Sequence, residues 1–221
     1  MKSKCLTEYM KPNYAREHLL SDQILSDNHS SERSLVERVL AEDNEACKEF
    51  IVRYKRLIGH IIYRMVDNPA DREDLCQEIW IKAFKHLKHF QFRSLLSTWL
   101  GRITYNTVIN HLRKSGIPLY NDISVDFEDS ETELHYKNTA VTSEQIVERR
   151  ELSAEIDTAI RKLPEQYRLI ITLFHLDGMN YHQIGDITGL PEGTVKSHLF
   201  RARKALKKIL TASLKGEDIY Q

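Results

Sequence analysis

The chain has 221 residues, 41% of them hydrophobic, and carries 32 Lys and Arg against 32 Asp and Glu, so overall charge selects no partner and only its placement is informative. Its longest apolar runs, such as LIITLF, are too short to span a bilayer, and the opening MKSKCLTEYMKPNY lacks the apolar core and cleavage site of a signal peptide. Three cysteines at unrelated spacings (Cys5, Cys47, Cys76) argue against a disulfide framework or a zinc knuckle and fit a reducing cytoplasm.

Eight glycines, five prolines and long stretches of 3.6-residue periodicity predict an all-α fold: two small helical domains joined by a flexible acidic linker. Residues 1–32 are polar and weakly periodic and read as an N-terminal extension. The first domain, 33–114, begins with a short helix around Leu35 to Leu40. A long amphipathic helix follows, marked by Ala46, Phe50, Tyr54, Leu57, Ile61 and Met65. DNPAD interrupts it, with Asn68 suited to cap the next helix and Pro69 to start it. In that helix Leu75, Ile79, Ala83 and Leu87 recur every four residues. FQFRSLLS reads as a loop, and Ser97 as the cap of a helix running to about Lys114.

From Asn121 to Glu148 eight acids face one base, Lys137, with little periodicity, so residues 115–142 read as a solvated tether. The second domain, 143–214, opens with a helix bearing Ile156, Ile160 and Leu163; Pro164 starts the next helix and Gly178 closes it. In MNYHQIGDITGLPEG, Asn180 and Gln183 have the spacing of a capping box. Gly189 suits a left-handed helix end, and Pro191 the first turn of the next helix. That last helix buries Val195, Leu199, Ala202, Leu206 and Ile209 at steps of four, three, four and three, and carries six Lys/Arg against one acid between Glu192 and Leu210. A short helix, a turn around glycine and a basic amphipathic helix make a helix-turn-helix, whose second helix enters the major groove.

Two constellations in the first domain carry chemistry. Asp74, Gln77 and Glu78 share one helix face opposite the Leu75/Ile79/Ala83 stripe. Arg102, Asn106, Asn110 and Arg113 form a polar stripe on the following helix, with Lys114 beside it and Phe90, Phe92 and Trp99 at its start. Cations with neighbouring flat rings suit single-stranded nucleic acid, although Trp99 taken alone reads as core. His86 and His89 are spaced as a metal pair but lack a third ligand, and read as solvated. Neither a Gly-rich phosphate loop nor a Ser/His/Asp arrangement is present, so no catalytic residue, metal or cofactor is expected.

ADREDLCQEIWIKAFKHLKHF, STWLGRITYNTVINHLRK, the acidic segment and LPEQYRLIITLFHLDGMNYHQIGDITGLPEGTVKSHLFRARKALKKIL together resemble the bacterial RNA polymerase sigma factors of the extracytoplasmic-function (ECF) group, over roughly residues 33–211. The resemblance implies that Asp74, Gln77 and Glu78 dock on the clamp helices of the polymerase β′ subunit. It implies that the helix with Asn106, Asn110 and Arg113 faces the melted minus-ten element. The second domain would sit on the β flap and read duplex minus-thirty-five DNA through Lys196, Ser197, Phe200 and Arg201. Arg203, Lys204, Lys207 and Lys208 lie off that patch or farther along the helix, and their position predicts mainly phosphate contacts. The resemblance leaves an anti-sigma factor open as a further partner and implies no membrane insertion. One departure stands out: the loop before Trp99 commonly contains glycine in this group, and FQFRSLLS has none. The alternative reading is a two-domain helix-turn-helix regulator with no polymerase role.

Overall fold

A computed structural model describes residues 21–114 and 154–217, which form eight helices and, among the described residues, no strand. In chain order these are α1 (Ser21–Leu40), α2 (Asn44–Met65), α3 (Pro69–Leu87), α4 (Leu96–Lys114), α5 (described over 154–161), α6 (Glu165–His175), α7 (Tyr181–Thr188) and α8 (Glu192–Glu217). The acidic segment and the helix start expected near Ser143 lie outside the described residues.

Local chemistry sets several helix starts. The Asp43 carboxylate accepts from the Glu45 and Ala46 N–H groups at the head of α2, and Asn68 caps α3 through Ala70 N–H, with Pro69 in its first turn. The expected apolar stripes of α2 and α3 are all buried. Phe50 lies at their crossing, fully buried and edge-on to Tyr54, Trp80 and Phe84 at 5.4–5.7 Å between centroids. Trimming such a residue to Ala costs about 3–5 kcal/mol.

Two starts differ from the sequence expectation. Helix α1, described from Ser21, is already helical well before Leu35, and its Glu32 is 4% exposed. Helix α4 begins at Leu96 rather than beyond a Ser97 cap, because the Glu32 carboxylate accepts the Leu96 N–H at 3.1 Å. The same carboxylate accepts from the Tyr54 hydroxyl at 3.2 Å, and burial together with Glu32 raises that phenol above its usual range. A side chain from outside the expected domain thus supplies the cap.

The two halves pack against each other, α2 on α6 and α4 on α7. Arg64, 4% exposed, donates to the Asp157 carboxylate at 2.6 Å and to the Thr172 hydroxyl at 3.0 Å. His60 Nδ1 lies 2.9 Å from the buried Asp177 carboxylate, with Arg56 at 3.9 Å. Gly101 of α4 lies so close to α7 that a Cβ there would come within 2.7 Å of Ile187 Cδ1. A glycine inside a helix costs about 1 kcal/mol relative to alanine. Its use here is close approach of the two halves.

Candidate nucleic-acid interface

The helix-turn-helix forms as its residues dictate. The Asn180 side chain accepts the Gln183 N–H and the Gln183 side chain accepts the Asn180 N–H, both at 2.9 Å, which starts α7. Gly189 ends it at φ 76°, a left-handed angle that favours glycine. Pro191 lies just ahead of α8, and its carbonyl accepts the Val195 N–H. On α8, Val195, Leu199, Ala202 and Leu206 are buried. Leu210 completes the stripe in place of Ile209, which is half-buried, because a 3.6-residue repeat drifts over about four turns.

Lys196, Ser197 and Phe200 are exposed and Arg201 half-buried, so the four expected reading residues share the face away from the core. Lys196 pairs with Glu192 at 2.7 Å and lies 5.2 Å from the Tyr181 ring centroid, which lowers the Glu192 carboxyl and raises the Lys196 ammonium. Lys207 and Lys208 are exposed farther along. Arg203 corrects its expectation as a phosphate contact: it donates to His175 Nε2 at 3.2 Å and lies over Phe174. Burial, with the Arg203 charge adding to it, pushes the His175 pKa down to about 4, so the ring is neutral and accepts.

The polar stripe of α4 is also surface: Arg102, Asn106, Asn110 and Arg113 are exposed. Arg102 is engaged by the other half, its Nε donating to the Asp186 carbonyl at 2.8 Å and its Nη2 3.6 Å from the Asp186 carboxylate. Asn106 joins Arg102, Tyr181, Asp186 and Pro191 around a cleft of about 600 Å³ between α4 and the helix-turn-helix. Trp99 is half-buried and packs on Phe90 at 5.3 Å.

On α3, Asp74, Gln77 and Glu78 are exposed and the Leu75/Ile79/Ala83 stripe buried. Glu78 pairs with Lys82 at 2.6 Å, and Lys82 reaches the Thr107 hydroxyl. Sequence reasoning missed Ile81, which lies one turn on from Gln77 and Glu78 and two from Asp74, and is 68% exposed. Its spacing of seven from Asp74 was the available signal. Among the described residues no three His, Cys, Asp or Glu side chains are grouped to hold a metal ion, and no helix is long and apolar enough to cross a membrane.

Comparison with known proteins finds relatives of both halves. Residues 50–116 match the family model for Sigma-70 region 2, and residues 153–206 that for Sigma-70 region 4. The chain is 34% identical over 185 residues to the RNA polymerase sigma-H factor of Pseudomonas aeruginosa, covering 83% of this chain and 96% of that one. It is 36% identical to the ECF RNA polymerase sigma-E factor of Escherichia coli, covering 80% and 92%. The chain belongs to the ECF RNA polymerase sigma factors.

The sigma factor therefore holds region 2 in α2–α4 and region 4 in α5–α8. The reading as a regulator with no polymerase role is set aside, because its first half is a region 2. Two solved structures are similar: CnrH in complex with the cytosolic domain of CnrY (TM-score 0.55, 20% identity, 81% of this chain and 97% of that) and RpoE in complex with the anti-sigma factor NepR from Bartonella quintana (0.53, 25%, 74% and 95%). Relatives of this kind are regulatory rather than catalytic proteins.

Proposed function

We propose that this sigma factor divides its work among three faces. Asp74, Gln77 and Glu78 of α3 hold the polymerase β′ clamp helices. Asn106, Asn110 and Arg113 of α4 lie along the melted minus-ten strand. Lys196, Ser197, Phe200 and Arg201 of α8 read duplex minus-thirty-five DNA, with region 4 on the β flap. Residues 115–142 serve as the tether, and the protein works in the cytoplasm with no catalytic activity of its own. An anti-sigma factor fits as a further partner, since the similar RpoE was solved with one.

The observation that carries this reading is the division of faces on α8. Its core stripe is buried while Lys196, Ser197 and Phe200 stay exposed, which leaves a patch about two turns long free for a groove. Elements at minus ten and minus thirty-five are about 25 base pairs apart, or about 85 Å of B-form duplex. Helices α4 and α7 touch in this structure, so the two halves separate before both elements are engaged.

Replacing Gln77 and Glu78 together with Ala tests the polymerase face. Both are exposed, so the thermal midpoint is expected to stay within about 3 °C while affinity for core polymerase drops. A folded double variant with wild-type affinity would remove this face from the assignment.

A further inference from the structure

Helix α8 carries six Lys and Arg between Glu192 and Leu210 against one acid, Glu192 itself. The acid stands in the first turn, where side chains of a second helix meet base edges. The helix dipole favours a carboxylate in this turn but does not choose its face. Glu192, Lys196 and Phe200 follow at steps of four and all three are exposed, so they form one row. A carboxylate in that row is repelled by DNA phosphates and gains only where a base offers it a hydrogen.

Lys196 is held from two helices. Its Nζ lies 2.7 Å from Glu192 Oε1 and 5.2 Å from the ring centroid of Tyr181 on α7. That ring is half-buried and stacked on Phe174, 5.3 Å between centroids and 19° between planes, which makes it a fixed platform. One contact leaves the ammonium with further donors and the carboxylate with further lone pairs. Together they set a donor and an acceptor side by side, with no net charge. A G·C pair offers the complementary edge: in the major groove guanine N7 and O6 accept, cytosine N4 donates, and O6 and N4 are hydrogen-bonded neighbours. In an A·T pair the one donor, adenine N6, lies between two acceptors, so a carboxylate bound there faces a repelling lone pair on either side.

We propose that Glu192 is a specificity-determining residue that, together with Lys196, reads one G·C pair of the upstream element. Lys196 donates to guanine O6 and N7, and Glu192 accepts from the cytosine N4 amino group. The proposal rests on the assignment of α8 to duplex minus-thirty-five DNA. Because the two side chains are neutral together, they add sequence preference and little attraction to the backbone, which the other cations of α8 supply.

The test uses the full chain with core polymerase on a promoter recovered by run-off selection. Each pair of its upstream element is replaced in turn, and each cytosine is also exchanged for N4-methylcytosine, which keeps pairing and blocks the groove-facing amino hydrogen. Wild type is expected to lose affinity on the order of tenfold at one G·C pair, both on replacement by A·T and on methylation. For Glu192→Ala the methyl group should make no difference and the preference at that pair should fall. Lys196→Ala should lose preference at the same pair. Glu192→Gln should shift the preference there toward adenine, whose N6 and N7 suit an amide. An acid that served only the helix would change stability and leave base preference untouched. Wild-type preference at every upstream pair in Glu192→Ala would therefore overturn the proposal while leaving the sigma assignment intact, as would preferences lost at different pairs in the two alanine variants. A wild type that does not distinguish its upstream element from scrambled sequence would overturn the reading role of α8, and this proposal with it.

Discussion

The Arg64 guanidinium donates to the Asp157 carboxylate at 2.6 Å across 93 residues of sequence, which joins α2 of region 2 to α5 of region 4. Arg161 adds a second donor to Asp157 at 2.9 Å, and its guanidinium lies over the Tyr63 ring. Burial alone would raise the Asp157 carboxyl, but the hydrogen bonds and charges of Arg64 and Arg161 outweigh it and lower the pKa. Removing Arg64 leaves the Asp157 carboxylate with Arg161 and takes the donor from the Thr172 hydroxyl. Arg64→Ala is expected to weaken the closed arrangement by about 1.5–3 kcal/mol, the worth of hydrogen bonds to a charged group. Small-angle scattering of the free variant should give a larger radius of gyration than wild type; identical curves would mean that apolar packing alone keeps the halves together.

Gly101 offers an independent way to open them. A side chain there meets Ile187 at once, so Gly101→Leu should destabilise the α4–α7 contact by about 1–3 kcal/mol. The helix itself gains, because leucine is the better helix former. Scattering should show separation, while circular dichroism shows unchanged helix content. A lower helix content would place the damage within α4 instead.

Acid should destabilise the protein through His175. Its folded pKa is about 4 against 6.5 for the free group, so between those values the unfolded chain binds a proton that the folded chain does not. Stability is then complete above about pH 6.5 and falls as pH drops toward 4, by at most about 3 kcal/mol at 1.36 kcal/mol per unit. The lowered carboxyl of Asp157 adds a loss of the same sign at still lower pH. Denaturant midpoints measured from pH 7.5 to 4.5 should fall for the wild type and less for His175→Gln. Parallel curves for the two would remove His175 as the source.

Arg201 and Lys207 should separate reading from holding. Arg201 lies beside Ser197 and Phe200 on the face away from the core, whereas Lys207 is exposed one to two turns on. Arg201→Ala should cost roughly 1–3 kcal/mol on the cognate upstream element and little on a scrambled one. Lys207→Ala should weaken both alike and reduce the salt slope. Titration of both variants at two salt concentrations decides it, and equal losses on the two DNAs for Arg201→Ala would make α8 a backbone contact only.

What the sequence made legible is local. The Asn180–Gln183 capping box, the left-handed Gly189 and the buried Val195/Leu199/Ala202 stripe each depend on residues within a few positions, so spacing alone reveals them. The resemblance to ECF sigma factors likewise rests on contiguous motifs. What stayed hidden depends on residues far apart: Glu32 capping α4 from 64 positions away, Arg64 reaching Asp157, Ile187 lying on Gly101. Phe92 shows a third case. Nothing in FQFRSLLS announces a positive φ at a phenylalanine whose ring lies 4.7 Å from Phe90 and under the Arg33 guanidinium. Arg203 was misassigned for the same reason, since its partner His175 lies on another helix.

The central claim is that this chain directs core RNA polymerase to particular promoters. Run-off transcription from a genomic fragment library, with core polymerase in the presence and absence of the chain, measures it directly. The expected result is a set of transcripts that appear only with the chain and share an upstream and a downstream element about 25 base pairs apart, consistent with two DNA-reading regions. Identical transcript profiles with and without the chain, under conditions where it is folded, would contradict the account.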